Sequence, residues 1–210
     1  MLEALSLAYR YTKQHPWIFK NLDLCIAPGE IVGMSGASGL GKTTLAKVLS
    51  GYLPPARGNI VIDGRSLPNS GPCPVQLLFQ HPELAVNPRW KISKILGEAG
   101  EPGIRLLQDL GIKKMWYDRY PHELSGGELQ RICIARALSE TTRYLICDEI
   151  TSMLDALSQA HIWKIISGLA DSRKLGLLVI SHHATLLAKV CSRKVKYFET
   201  EKSLPVQTEK

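Results

Sequence analysis

The sequence predicts an α/β fold: a mostly parallel sheet with crossover helices, an antiparallel β subdomain near the N-terminus, and a small helical subdomain inserted into the core. Three observations predict it. Short apolar runs alternate with helical stretches, the pattern of parallel strands buried on both faces. Two early segments, Leu2 to Tyr11 and Ile18 to Ile26, read as an antiparallel pair followed by a Pro28-Gly29 turn. Between Gln80 and Leu124 the strand signals vanish. Pro82, Pro88 and Pro102 interrupt that stretch, and short helices are expected at Ser93 to Glu98 and Ile104 to Leu110.

The elements follow in order. Glu30 to Ser35 reads as a buried strand that runs into a Gly-rich loop, and Thr43 to Ser50 as a helix ended by Gly51 and Pro54. Asn59 to Asp63 is a strand closed by an Asp-Gly turn, and Val75 to Phe79 is another. Arg143 to Cys147 and Leu177 to Ser181 are β-rich buried runs, Val195 to Phe198 is a last strand, and the polar tail Glu199 to Lys210 is expected to fray. The chain therefore divides into one α/β unit, 1–79 and 125–210, with 80–124 as the helical insert.

Composition narrows the function. At 210 residues, 45 % hydrophobic and 21 % charged, the chain is long enough for one domain with a real core. No run approaches the roughly 18 apolar residues of a membrane span, and the opening MLEALSLAYRY lacks the build of a secretory signal. A cytosolic protein is expected, with any membrane role reached through a partner. Five cysteines, without a C-x-x-C pair, include Cys25, Cys133 and Cys147 inside apolar runs. Buried, reduced thiols are expected rather than a disulfide framework or zinc site. The net charge of +7 is spread along the chain. It reads as a solvated basic surface, near anionic lipid headgroups at most, and no nucleic-acid partner is expected.

Gly36-Ala37-Ser38-Gly39-Leu40-Gly41-Lys42-Thr43 fits G-x-x-x-x-G-K-[ST] between a predicted strand and a predicted helix. Glycines let consecutive N–H groups point inward at a phosphate, and the helix adds its positive N-terminal end. Lys42 can reach the β- and γ-phosphates, and the Thr43 hydroxyl can ligate Mg²⁺. The run Arg143 to Glu149 is an apolar strand ending in two carboxylates. Asp148 is placed to hold the metal, and Glu149 to orient or deprotonate an attacking water.

Leu124-Ser125-Gly126-Gly127-Glu128-Leu129-Gln130-Arg131 is the most specific stretch. Ser125-x-x-Glu128 is a capping box on a helix running to about Leu138, and the Gly126-Gly127 pair exposes N–H groups at its positive end. That makes a second anion site. LSGGELQR resembles the signature motif of ABC (ATP-binding cassette) ATPases, which in that family contacts the γ-phosphate of ATP bound to the opposite subunit. The resemblance covers nearly the whole chain and implies a P-loop NTPase (RecA-like) core. It extends the phosphate loop through Thr44. It makes Gln80 the Q-loop glutamine that touches Mg²⁺ or water beside the transmembrane coupling helix. It makes Asp148 and Glu149 the Walker B pair, Ser152 to Asp155 the D-loop, His182 the switch histidine, and Tyr9 (with Tyr11 as the alternative) the aromatic that stacks on adenine.

Three positions depart from the family pattern. Ile150 stands where a proline usually follows the glutamate, His183 stands where an aspartate usually follows the switch histidine, and the helical insert is short. The resemblance implies ATP hydrolysis with Mg²⁺ by a dimer with a second ATPase subunit, on the cytoplasmic face of the inner membrane. It implies two permease subunits and an extracytoplasmic solute-binding protein as partners. Phe79 to Arg89 and Asp155 to Ala160 resemble the ATPases of bacterial peptide, opine and nickel importers, and the early end of the chain tilts toward nickel or metallophore import. An exporter ATPase, a non-transport ABC ATPase acting on nucleic acid or ribosomes, and a P-loop kinase remain alternatives.

Overall fold

The structure is a computed structural model that describes residues 1–197 apart from Asn69, Ala99, Glu101 and Met153. The chain opens with β1 (Leu2–Tyr9) and β2 (Phe19–Ile26), followed by β3 (Ile31–Met34) and α1 (Lys42–Leu49). Next come β4 (Arg57–Ile62), β5 (Arg65–Ser66) and β6 (Val75–Leu78), then the short helices α2 (Ile92–Leu96) and α3 (Ile104–Asp109). The second half holds α4 (Gly126–Ala137), β7 (Tyr144–Asp148), α5 (Ala156–Arg173), β8 (Gly176–Ile180), α6 (Ala184–Val190) and β9 (Arg193–Val195).

Two sheets result. β6, β7, β8, β3 and β9 lie side by side in that order, with every pairing parallel. β2, β1, β4 and β5 make an antiparallel sheet. The 59–63 strand therefore leaves the parallel series and pairs with β1, Ile60 opposite Ala4. The expected final strand is three residues long and ends at Val195; Phe198 and the tail lie outside the described residues.

Period-two alternation explains the core. On β7, Leu145 and Cys147 face one side while Tyr144 and Ile146 face the other; on β8, Leu177 and Val179 oppose Leu178 and Ile180. The first set packs on α4, α5, α6 and the helical insert through Ile132, Ile162, Ile166, Leu187, Ile95 and Trp116. The second packs on α1 and the antiparallel sheet through Leu45, Leu49, Leu2, Leu22 and Ile62. Cys133 and Cys147 are buried as expected, whereas Cys25 is exposed. The apolar run around Cys25 is a strand whose alternate side chains Leu24 and Ile26 go inward, which turns Cys25 to the outer face.

The parallel register sets the site. Met34 lies opposite Ile180, Ile180 opposite Asp148, and Leu78 opposite Cys147. Four adjacent strands thus end level, so the loops after Met34, Leu78, Asp148 and Ile180 leave along one edge. In open parallel sheets that edge is where ligands bind.

The edge strand β9 is fastened by an ion pair. Glu30 Oε1 accepts from Arg193 Nε at 2.5 Å, and Glu30 Oε2 accepts from the Ala27 N–H at 2.8 Å. Burial pushes the Glu30 carboxyl up, but the Arg193 hydrogen bond, the Ala27 N–H and the guanidinium charge together hold it below its ordinary 4.5. A carboxylate depressed in the folded state stabilises above its unfolded pKa and stops doing so as pH falls through the folded value. Glu30→Gln is expected to cost about 1 kcal/mol at pH 7. Urea unfolding should show that gap closing below pH ~4. A gap that persists at pH 3 would remove the ion pair as its cause.

Candidate functional site

A cleft of about 710 Å³ opens at the level strand ends, lined by Ser38 to Thr44, Gln80, Asp148 and Glu149, and by Tyr11 to one side with Pro16, Trp17 and Ile18. Its floor follows from local sequence. Gly39 and Gly41 hold φ of 82° and 98°, a region that residues with a Cβ avoid, and Gly41 is the N-cap of α1 with no side-chain cap. The first N–H groups of that helix are therefore left to a ligand at the cleft. Lys42 is only 7 % exposed, and its Nζ donates to the carbonyls of Gly36 and Ala37 at 2.8 Å each. The ammonium thus lies across the loop, inside reach of anything the loop holds.

Asp148 ends β7 at 5 % exposure, with the Thr43 hydroxyl donating to it. Burial pushes its carboxyl above the ordinary value, and the neighbouring Glu149 charge adds to this; the Thr43 hydroxyl and the Lys42 ammonium pull the other way. Two adjacent carboxylates with too little positive charge beside them favour a bound cation. Among the described residues no group of three or more His, Cys, Asp or Glu could hold a metal alone. Thr43 and Asp148, with Gln80 on the same wall, fit Mg²⁺ instead, an ion that takes few protein oxygens and completes its shell with phosphate and water.

Glu149 adopts φ 51°, left-handed for a residue with a side chain. Its N–H donates to the Ile180 carbonyl at 3.0 Å, and its own carbonyl accepts from the Ser152 N–H at 3.1 Å. Ile150, in place of the usual proline, is 3 % exposed and joins the core under α4 and α5. The turn is anchored by that burial rather than by a ring. His182 Nδ1 lies 3.3 Å from Glu149 Oε1, so the ends of β7 and β8 bring the carboxylate and the histidine together. Gln80 Nε2 reaches Ser152 Oγ at 3.4 Å.

Other expected residues stand apart from the cleft. Ser125 caps α4: its Oγ accepts from the Glu128 N–H at 3.3 Å, and Glu128 Oε2 accepts from the Ser125 N–H at 2.9 Å. That backbone hydrogen bond is the main cause holding the Glu128 carboxyl below its ordinary value. Gly126 and Gly127 form the first turn, and a Cβ on Gly127 would stand 3.0 Å from Leu154 Cδ2. Asp155 caps α5 by accepting from the N–H groups of Leu157 and Ser158 at 3.0 Å each. Neither cap lines the cleft; of the expected D-loop, Met153 lies outside the described residues.

The adenine-side expectation needs correcting. Tyr9 is 7 % exposed, stacked on Phe19 with ring centroids 6.1 Å apart inside the core. Tyr11, beyond the end of β1, is 60 % exposed, lines the cleft and hydrogen-bonds Thr44 Oγ1 at 3.2 Å. Strand alternation sends Tyr9 inward, and the residue past the strand end is the one free to face the site. Sequence reasoning also missed Trp17, half-buried on the same rim with the Arg10 guanidinium 4.3 Å from its ring. A tryptophan between cations in the β1–β2 turn was the available signal. Tyr11→Ala should weaken ATP binding about tenfold, one stacked base being worth ~1–3 kcal/mol. Tyr9→Ala should instead cost about 3 kcal/mol of stability; titration and thermal melts separate the two.

The sequence profile of the ABC transporter family matches residues 19–152. The chain belongs to the ABC transporter family. Among its relatives, the probable D,D-dipeptide transport ATP-binding protein DdpF of Escherichia coli is 34 % identical over 194 residues, 87 % of this chain and 61 % of that protein. The nickel import ATP-binding protein NikE of Rhodospirillum rubrum is 33 % identical over 195 residues, covering 84 % and 70 %. A putative peptide import ATP-binding protein of Brucella abortus is 35 % identical over 192 residues, covering 82 % and 58 %. The matched region is thus 61 % of the first relative's length. An ABC transporter cassette solved as a dimer superposes with a TM-score of 0.77 at 20 % identity, over 93 % of both chains. The ATP-binding subunit of another ABC transporter gives 0.78 at 21 %, over 93 % of this chain and 88 % of that one. These likenesses establish the ABC ATPase fold. Among the described residues no helix is long and apolar enough to cross a membrane.

Proposed function

We propose that this chain binds and hydrolyses ATP to power a membrane importer, for peptides, nickel or metal-chelate and opine-like solutes. One observation carries the reading: the level ends of β3, β6, β7 and β8 gather a phosphate loop and an acidic pair at one cleft, with His182 set against Glu149 of that pair. In this reading the base stacks at Tyr11 and Trp17. Residues 36 to 44 cradle the phosphates through backbone N–H groups, with Lys42 on the β- and γ-phosphates. Thr43 and Asp148, with Gln80, would hold Mg²⁺, which when bound would neutralise charge on the phosphate oxygens. Glu149 takes a proton from the attacking water, and His182, 3.3 Å away, holds its carboxylate in place and faces the γ-phosphate.

The position of Ser125, Gly126, Gly127, Glu128 and Asp155 outside the cleft supports a dimer. Each nucleotide then lies between one subunit's phosphate loop and its partner's Ser125 helix end, and loss of the γ-phosphate releases that grip. The partner is a second ABC ATPase subunit. The pair works on the cytoplasmic face of the inner membrane beneath two permease subunits, with a solute-binding protein outside. The insert 80–124 is the docking subdomain and moves with α4. Arg136 Nη1 donates to the Ala85 carbonyl at 2.6 Å and pairs with Glu98 at 3.0 Å, and Arg131 Nη1 donates to the Leu110 carbonyl at 3.0 Å.

The test is purification of the tagged chain from detergent-solubilised membranes, with partners identified by mass spectrometry. A permease pair, a second cassette and a solute-binding protein are the expected result. Recovery with ribosomes or nucleic acid after a salt wash would overturn the transport reading while leaving the ATPase chemistry standing.

A further inference from the structure

A second cleft, of about 470 Å³, lies between α5 and α6, the helices that follow the Glu149 turn and His182 in the chain. Its apolar lining includes Trp163, Leu186 and Val190, and Trp163 is 5 % exposed. Its rim carries an ammonium from each helix, Lys164 of α5 and Lys189 of α6, with the imidazole of His183 at one end. Among the described residues no acidic residue lines it. An apolar floor under two cations on opposite walls is the complement of a molecule with an apolar body and an anionic head. The volume is in the range of small-ligand sites.

Both walls connect to the residues around Glu149. Thr151, two positions after it and 3 % exposed, accepts from Gln159 Nε2 at 2.8 Å and from Trp163 Nε1 at 3.1 Å. Those two donors are lining residues of the cleft. On the other wall, His183 has its ring 4.0 Å from that of His182, whose Nδ1 is 3.3 Å from Glu149 Oε1. A molecule that sets the spacing of α5 and α6 therefore acts on the Thr151 turn from one side and on His182 from the other.

We infer that the α5–α6 cleft binds a small amphipathic carboxylate, and that its occupancy changes the rate of ATP hydrolysis. The binding half stands on the cleft alone; the effect on rate rests on the ATPase reading. Sodium decanoate is the probe, with decanol as its uncharged counterpart. The readout is tryptophan fluorescence of the intact chain, with Trp163→Phe to assign the signal. Decanoate should bind saturably, and Trp163→Phe should remove most of the fluorescence change. Lys164→Glu/Lys189→Glu should bind at least tenfold more weakly, with unchanged ATP turnover in the absence of decanoate. In the wild type, saturating decanoate should change turnover at least twofold, and in the double variant it should not. Equal binding of decanol, equal binding by the double variant, or saturation without a change in turnover overturns the proposal. A chain that binds decanoate as described but never releases phosphate from ATP overturns the ATPase reading and keeps the site.

Discussion

Glu149→Gln is expected to lower phosphate release from ATP by about a thousandfold, the middle of the range for loss of a positioned general base, while ATP still binds. The substitution keeps the shape and removes only the ability to take a proton. Its local effect should be small: the Glu149 side chain is 17 % exposed and meets His182 through one oxygen, and an amide can keep that contact. The left-handed backbone at φ 51° tolerates Gln no worse than Glu. Melting temperature should therefore stay within about 2 °C of the wild type. With hydrolysis stopped and binding intact, ATP should accumulate a stable dimer measurable by light scattering. His182→Ala should lose less, roughly a hundredfold, because it removes the group that holds the carboxylate and leaves the base. Wild-type turnover in Glu149→Gln would show that another group takes the proton.

The fold was legible where spacing alone decides. Short apolar runs bounded by turn residues marked β1, β2, β6, β7 and β8 to within two residues at each end, because a strand buried in the core must be apolar along its length or on its inner face. The phosphate loop and the Ser125 cap were legible for a different reason: each needs particular residue types at fixed offsets. The illegible parts depend on long-range contacts. No local property distinguishes β4 from a parallel strand; its place is decided by pairing with β1 across 50-odd residues of chain. Helix α5 carries a stripe at helical spacing, Ile162, Trp163, Ile166 and Ala170, that is buried in the core. Tyr9 and Tyr11 show the same limit on the site. Both are aromatic, two positions apart and on the correct side of the loop, so only the end of β1 at Tyr9 tells the core residue from the cleft residue. Trp17 belongs to no motif; Arg10 and Lys20 flank it in sequence, but Arg57, the third cation on its ring, comes from β4 and shows only in the fold.

Lys42→Ala should abolish detectable turnover and weaken ATP binding at least a hundredfold, yet leave the folded chain as stable as before or slightly more so. The two effects have one origin. At 7 % exposure the ammonium has lost most of its water, and it donates to two carbonyl oxygens at 2.8 Å. Burying a cation against neutral carbonyls is costly, and its attraction to the nearby Asp148 carboxyl offsets only part of that cost, so the loop holds a charge that contributes little to the fold by itself. That charge becomes favourable when phosphates enter and Lys42 exchanges carbonyls for anionic oxygens, a stronger charge-assisted bond. Removing it should relieve the buried charge and delete the gain on binding. The measurement is a thermal melt with and without Mg²⁺ and ATP at saturating concentration. At a hundred times Kd, ligand stabilises the wild type by about 2.7 kcal/mol; Lys42→Ala, no longer saturated at that concentration, should gain less than about 0.5 kcal/mol. Lys42→Arg tests charge against shape: the guanidinium is charged but planar and larger, and it must fit between the Gly36 and Ala37 carbonyls. It should recover part of the binding and little of the turnover. If Lys42→Ala melts much lower than the wild type without nucleotide, the lysine holds the loop together, and its effect on ATP would then be indirect.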